Sequence, residues 1–220
     1  MVSEEMHHIL QGIYGFSDNN MTVIHNGIEI VKDIEKQENH RLIIGSAGRF
    51  FPVKDYSIMV DIAAQVVIQN NTITFVLAGD GPQRSELEQK VKNYGIGDRF
   101  LFLGHQDDMV GFYKSLDIYI NTSVHEGIPM SVLEAMSYGL PIVAPNVGGF
   151  PEIVHNNIHG FLIEGRNKDI YVDCLLLLSS NKQLRFRMAK SARERVVKQF
   201  SRDVMAQQYY NLYEELILNS

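Results

Sequence analysis

Residues 121–152 read NTSVHEGIPMSVLEAMSYGLPIVAPNVGGFPE, and the architecture of the chain can be worked out from them. The stretch leaves an apolar run, Ile118–Ile120, with the composition of a buried strand. A polar loop follows. Pro129 then opens an 11-residue segment in which Val132, Leu133, Met136 and Leu140 recur at helical spacing. Proline suits the first turn of a helix, where its missing N–H is no loss and its φ is already helical. The helix is expected to give way near Gly139, before a second short strand, Pro141–Ala144.

Two glutamates frame this motif with seven residues between them, Glu126 in the loop and Glu134 inside the helix. Between them, the N–H groups of Gly127, Ile128, Met130 and Ser131 surround a helix N-terminus, which carries roughly half a positive charge. That is an anion site suited to a phosphate or diphosphate. A carboxylate before the helix can accept hydrogen bonds from a polyol, and a second one two turns on can hold another hydroxyl pair. Phosphate in the middle with hydroxyls at both ends describes a nucleotide sugar. The spacing by itself leaves a plainer reading open, in which Glu126 favours the helix dipole and Glu134 is a solvated helix residue.

Working outward, the pattern repeats. Strands are expected at Leu42–Ala47, Thr72–Ala78, Arg99–Leu103 and Asp117–Asn121. Helices are expected at 56–69 (Ile58, Ile62, Val66 and Val67 inward), 82–94 and 107–115. Such alternation implies an α/β fold, a Rossmann-like parallel sheet with helices on both faces. Ligands of these sheets bind beyond the carboxyl ends of the strands. Toward the N-terminus, 4–15 reads as a short helix, Thr22–His25 as a β-like run and Asn26-Gly27 as a turn, with 31–40 an exposed connection. Toward the C-terminus a strand at Phe161–Ile163 precedes helices near 168–179, 181–199 and 201–217, the last with Ser201 as its N-cap.

The strand-end loops hold the other candidate groups. Gly48-Arg49-Phe-Phe-Pro-Val-Lys54 carries two cations able to converge on one diphosphate, Arg as a planar fork and Lys as a point charge. Two solvated surface cations are the alternative. Gly79-Asp80-Gly81-Pro82 and Leu103-Gly104-His105 follow later strands, and alone they are ordinary turn signals.

Together these motifs resemble the retaining glycosyltransferases of family 4, also called group 1. The likeness lies in EGIPMSVLEAMSYGLPIVA with its E-x7-E element, GGFPEIV, the G-R-x4-K loop, the G-x-G-P turn, and NGIE at 26–29. The match departs at Asp55, where the family often has glycine after the lysine. The resemblance implies one half of a GT-B fold that binds the nucleotide-diphosphate sugar donor, of UDP or GDP type, with no further cofactor and no metal. It also implies that Arg49, Lys54 and the helix N-terminus at 127–131 stabilise charge on the leaving diphosphate. Glu126 would hold the donor sugar, Glu134 the ribose, and main-chain groups at Leu103 and Gly104 the base, with Gly48 and Gly79 also among the donor-binding residues.

On the same resemblance, residues 1–30 are a remnant of a first domain and the crossover, 31–200 the donor domain, and 201–220 a helix crossing back. The acceptor-binding first domain would then be a missing partner, and this chain alone a poor transferase. The implied reaction moves a hexose-type sugar to a lipid-linked or saccharide acceptor in surface polysaccharide or glycolipid synthesis. The implied setting is cytoplasmic, at the inner face of a membrane. A non-catalytic nucleotide-sugar-binding module and a GT-B epimerase relative are the alternatives. The latter calls for additional acid/base residues, and none stands out.

Composition narrows the remaining classes. At 220 residues, 45% hydrophobic and 21% charged, the chain reads as globular. A net charge of −6 argues against a nucleic-acid partner. The start MVSEEMHHIL lacks the basic and apolar regions of a signal peptide. The one cysteine, Cys174, forms no internal disulfide and is expected in the core. His155 and His159 stand four apart, but in a turn-like HNNIHG with no further ligand nearby, so they are not read as a metal site.

Overall fold

In a computed structural model of the chain, the described residues are 1–17, 21–32, 34 and 41–218. After α1 (Glu4–Tyr14) come β1 (Ile43–Ala47), α2 (Tyr56–Gln69), β2 (Thr74–Ala78), α3 (Arg84–Tyr94), β3 (Phe100–Gly104) and α4 (Met109–Ser115). The second half runs β4 (Ile118–Ile120), α5 (Met130–Ser137), β5 (Ile142–Pro145), α6 (Phe150–Ile153), β6 (Gly160–Ile163), α7 (Lys168–Ser180), α8 (Lys182–Gln199) and α9 (Arg202–Leu218). The six strands form one parallel sheet in the order β3-β2-β1-β4-β5-β6. The α/β reading therefore holds.

Central strands are buried from end to end, as a sheet covered on both faces requires. One face packs on α2, α3 and α7 around Met59, Ile62, Phe75 and Leu175. The other packs on α4, α5, α6 and α8 around Tyr119, Val132, Leu133 and Phe150. The strand order turns back on itself between β1 and β4. Loops leaving those two strands diverge, which opens a crevice at their carboxyl ends.

Several expectations need correction. Helix α2 buries Tyr56, Met59, Val60, Ile62, Ala63, Ala64 and Val66, whereas Ile58 and Val67 are only half-buried. The sheet, α3 and α7 cover it from several sides, so its apolar residues do not mark one inward stripe. Thr22–His25 forms no strand: the Ile24 N–H bonds the Met1 carbonyl at 2.8 Å, and the nearest sheet-like contact is an isolated bridge between Ile28 and Ser201. Thr72 lies in a turn before β2, with its N–H and hydroxyl on Asn70 Oδ1. The connection expected over 31–40 lies largely outside the described residues. Helices α1 and α9 bury none of their residues.

Candidate functional site

The loops after β1, β2 and β3 are tied to one another by main-chain bonds. Gly48 donates to the Ala78 carbonyl at 3.0 Å, Gly79 to Gly104 at 2.7 Å, and Phe50 to Asp80 at 2.9 Å. Gly79 has φ +123°, and a Cβ there would stand 2.0 Å from the Gly48 carbonyl oxygen, so only glycine allows this approach. Phe50, fully buried, anchors the first loop. Arg49 beside it is exposed, its guanidinium 5.3 Å from the Phe51 ring. Lys54 ends a 3₁₀ turn, Pro52–Lys54, and turns back over the crevice. Its Nζ meets Glu126 Oε1 at 2.5 Å. The Ser123 hydroxyl donates to the same oxygen at 2.7 Å, and the Ser123 N–H is held by Asn121 Oδ1.

In the 121–152 motif, α5 starts at Met130, and Pro129 is its N-cap in an extended conformation rather than a member of the first turn. The helix is also shorter than its apolar spacing suggests, because the chain leaves it at Tyr138 and Gly139 takes φ +64°. The Pro129 carbonyl accepts the N–H groups of Val132 and Leu133. Among the described residues, no protein acceptor takes the N–H of Gly127, Ile128, Met130 or Ser131. From the other side Gly148 and Gly149 press on the loop. A Cβ on Gly149 would stand 1.8 Å from the Gly127 carbonyl oxygen.

Glu134 projects from α5 toward the buried Tyr113 of α4, whose hydroxyl donates to Oε2 at 2.6 Å. Burial, then the neighbouring Tyr119 and Glu134, push the Tyr113 phenol far above its ordinary pKa, so it stays a donor. Sequence reading did not single out Tyr113. Its only signal was a tyrosine, a residue that needs a polar partner when buried, one strand away from the helix that carries Glu134.

Arg49, Lys54, Glu126 and Glu134 thus line one cavity of about 610 Å³ at the carboxyl ends of the strands, with Gly48, Gly79, Ile128, Met130 and Ser131. Leu103, Gly104 and Gly127 do not line it. The Leu103 and Gly104 carbonyls already accept Gln106 Nε2 and the Gly79 N–H, and His105 and Gln106 face the cavity instead. A larger hollow of about 720 Å³ beside α8 lies at the opposite, amino end of the sheet near Asp117, away from these groups.

The remaining candidates are structural. His159 Nδ1 accepts the His155 N–H at 2.9 Å, and among the described residues no three His, Cys, Asp or Glu side chains gather as metal ligands would. Cys174 packs half-buried against the core, and burial raises its thiol to about 11. Asp55 adopts φ +42°, the left-handed conformation in which glycine would be unstrained. Among the described residues no helix is long and apolar enough to cross a membrane.

A family model described as "Glycosyl transferases group 1" matches residues 28–195. The N-acetyl-alpha-D-glucosaminyl L-malate synthase of Bacillus anthracis is 29% identical over 208 residues, covering 94% of this chain and 54% of that protein. The UDP-Gal:alpha-D-GlcNAc-diphosphoundecaprenol alpha-1,3-galactosyltransferase of Escherichia coli is 30% identical over 215 residues, covering 90% and 55%. The chain therefore spans about half the length of these curated relatives. Among solved structures, the C-terminal domain of a group 1 family glycosyl transferase from Francisella tularensis is similar with a TM-score of 0.69 and 26% identity. That likeness covers 77% of this chain and 96% of the other.

Proposed function

The chain belongs to the glycosyl transferases group 1 family, and on that premise we propose that it is the donor-binding half of a two-domain enzyme. It holds a nucleoside diphosphate sugar in the crevice between the ends of β1 and β4. One observation carries this reading: two cations, two carboxylates and a set of unpaired N–H groups face a single cavity at the strands' carboxyl ends. Arg49, Lys54 and the N–H groups at the start of α5 bind the diphosphate. Lys54 has three ammonium donors, so its bond to Glu126 leaves others for phosphate oxygens. Glu134, aimed by Tyr113, takes the ribose hydroxyls, and Glu126 those of the sugar.

As the bond from the sugar's anomeric carbon to the diphosphate breaks, negative charge grows on the leaving group and the sugar becomes oxocarbenium-like. Groups already fixed around the diphosphate stabilise that charge with little reorganisation. Neither glutamate acts as a nucleophile in this scheme, and retention of configuration is the family's outcome. The UDP-Gal donor in the name of the Escherichia coli relative supports uridine as the base and a hexose as the sugar. That name also supports a lipid-linked acceptor, bound by the half of the enzyme that this chain does not span.

The test is calorimetric titration of the chain with UDP, GDP and ADP. UDP is expected to bind saturably, and Arg49→Ala and Glu134→Ala should each weaken it roughly tenfold or more, the worth of a charge-assisted hydrogen bond. Absence of binding by all three nucleotides would refute the donor-site assignment.

A further inference from the structure

We infer that Arg166 is a positioning residue for this site, reaching from the turn after β6 to hold Asp55 and so the loop that presents Lys54. What Lys54 is presented for rests on the donor-site reading above; the chain of contacts does not. Arg166 lies 111 residues beyond Asp55 and lines no part of the 610 Å³ cavity. Its Nη2 meets Asp55 Oδ2 and also donates to the Thr122 carbonyl at 3.2 Å. The buried Thr122 hydroxyl in turn lies 3.1 Å from the Lys54 carbonyl and 3.0 Å from that of Asp55. Two residues further, the Val124 N–H bonds the Val53 carbonyl at 2.8 Å. The guanidinium therefore joins the turn that ends in Lys54 to the strand end that carries Ser123 and Glu126, where Glu126 receives Lys54 Nζ.

The backbone at both ends of the ion pair supports a dedicated device. Asp55 has φ +42° and Arg166 φ +56°, a region that disfavours every side chain and arginine more than aspartate. Glycine at either place would relieve it. Each position instead carries the side chain that meets the other. Such outliers persist where the surrounding contacts over-determine them, and they gather near functional sites. Asp55 also caps α2, its Oδ1 accepting the Ile58 N–H, so the same carboxylate fixes where the loop stops and the helix begins.

The experiment is lysine footprinting of the ligand-free chain with acetic anhydride, reading Lys54 against the exposed Lys92 by mass spectrometry. Arg166→Gly removes the guanidinium while accepting the left-handed backbone. It is expected to raise the Lys54 acetylation rate roughly tenfold with Lys92 unchanged, and Arg166→Lys to restore most of the protection. Should Arg166→Gly not fold, Asp55→Asn loosens the pair from its other end in a residue that tolerates this conformation, with the same rise expected. UDP affinity should fall in parallel while the melting temperature holds. An unchanged Lys54 rate in the folded variants overturns the inference, as does a lower melting temperature with Lys54 still protected. If the parent chain binds no UDP, the donor reading fails while the footprint still decides the role of Arg166.

Discussion

Tyr113 shows how much of the site hangs on single polar atoms. Its hydroxyl is one buried donor to the Glu134 carboxylate, and the phenylalanine variant keeps the packing while losing that bond. Tyr113→Phe should leave the melting temperature within a few degrees and weaken UDP binding several-fold, since a net hydrogen bond is worth about 1 kcal/mol; calorimetry and a melting curve measure both. His159 gives a prediction in pH. It is held to about 4 by burial, then by the positive Arg195 and by His155, whereas the unfolded chain titrates near 6.5. The folded state prefers the neutral ring, so its contribution is complete above about 6.5 and is lost as pH falls toward 4. Denaturant unfolding at pH 7.5 and 4.5 should show a loss of about 2 kcal/mol after discounting for solvent near the ring. His159→Gln, which retains an acceptor for the His155 N–H, should flatten that slope. The His-x3-His spacing, read as a turn, is a turn for the reason that one ring caps the other residue's backbone.

At the scale of elements, the loop before α5 is shaped by its neighbours as much as by its own residues. Gly149 abuts the Gly127 carbonyl so closely that Gly149→Ala must displace the segment carrying Glu126. We expect a loss of about 2–3 kcal/mol, typical of forced overpacking, together with loss of UDP affinity, seen by melting and titration. A second case is Glu152 in α6, whose carboxylate accepts the Glu4 and Glu5 N–H groups at the start of α1 and pairs with His25 Nε2 at 2.8 Å. An acidic group at a helix N-terminus satisfies its free donors. Because α1 buries none of its residues, this cap helps tie it to the body. In Glu152→Ala the amides of α1 should exchange with deuterium roughly tenfold faster while the sheet keeps its protection. Helix α5 was legible from apolar spacing, but its first residue was not, because Pro129 satisfies the cap and the first turn equally well in sequence.

For the whole molecule, α9 is the anomaly. It exposes Tyr210, Tyr213, Leu216 and Ile217 and buries no residue, though Met205 receives the Gly27 N–H through its sulfur at 3.2 Å. Such a helix contributes little to the stability of this body. Removing residues 206–220 should shift the melting temperature by less than about 3 °C, a change under 1 kcal/mol for a chain of this size, and should leave UDP binding intact. Calorimetric scanning checks it. Under the proposed function, the same surface belongs against the acceptor half. The chain alone should then bind nucleotide without transferring sugar, and an assay of the chain joined to such a half should show transfer.

The sequence by itself determined the alternation of buried strands and helices, the parallel sheet and its family, because apolar periodicity and parallel connections admit few other arrangements. It also placed the candidate groups at the strands' carboxyl ends, since the fold leaves its crevice there. Only the tertiary structure decided which side chains meet there. Lys54 finds Glu126, Tyr113 finds Glu134, and Arg166 finds Asp55, while Leu103 and Gly104 turn their carbonyls to other partners. Those pairings join residues 21 to 111 positions apart. They depend on the direction of each side chain from its own strand end, which a one-dimensional pattern does not carry.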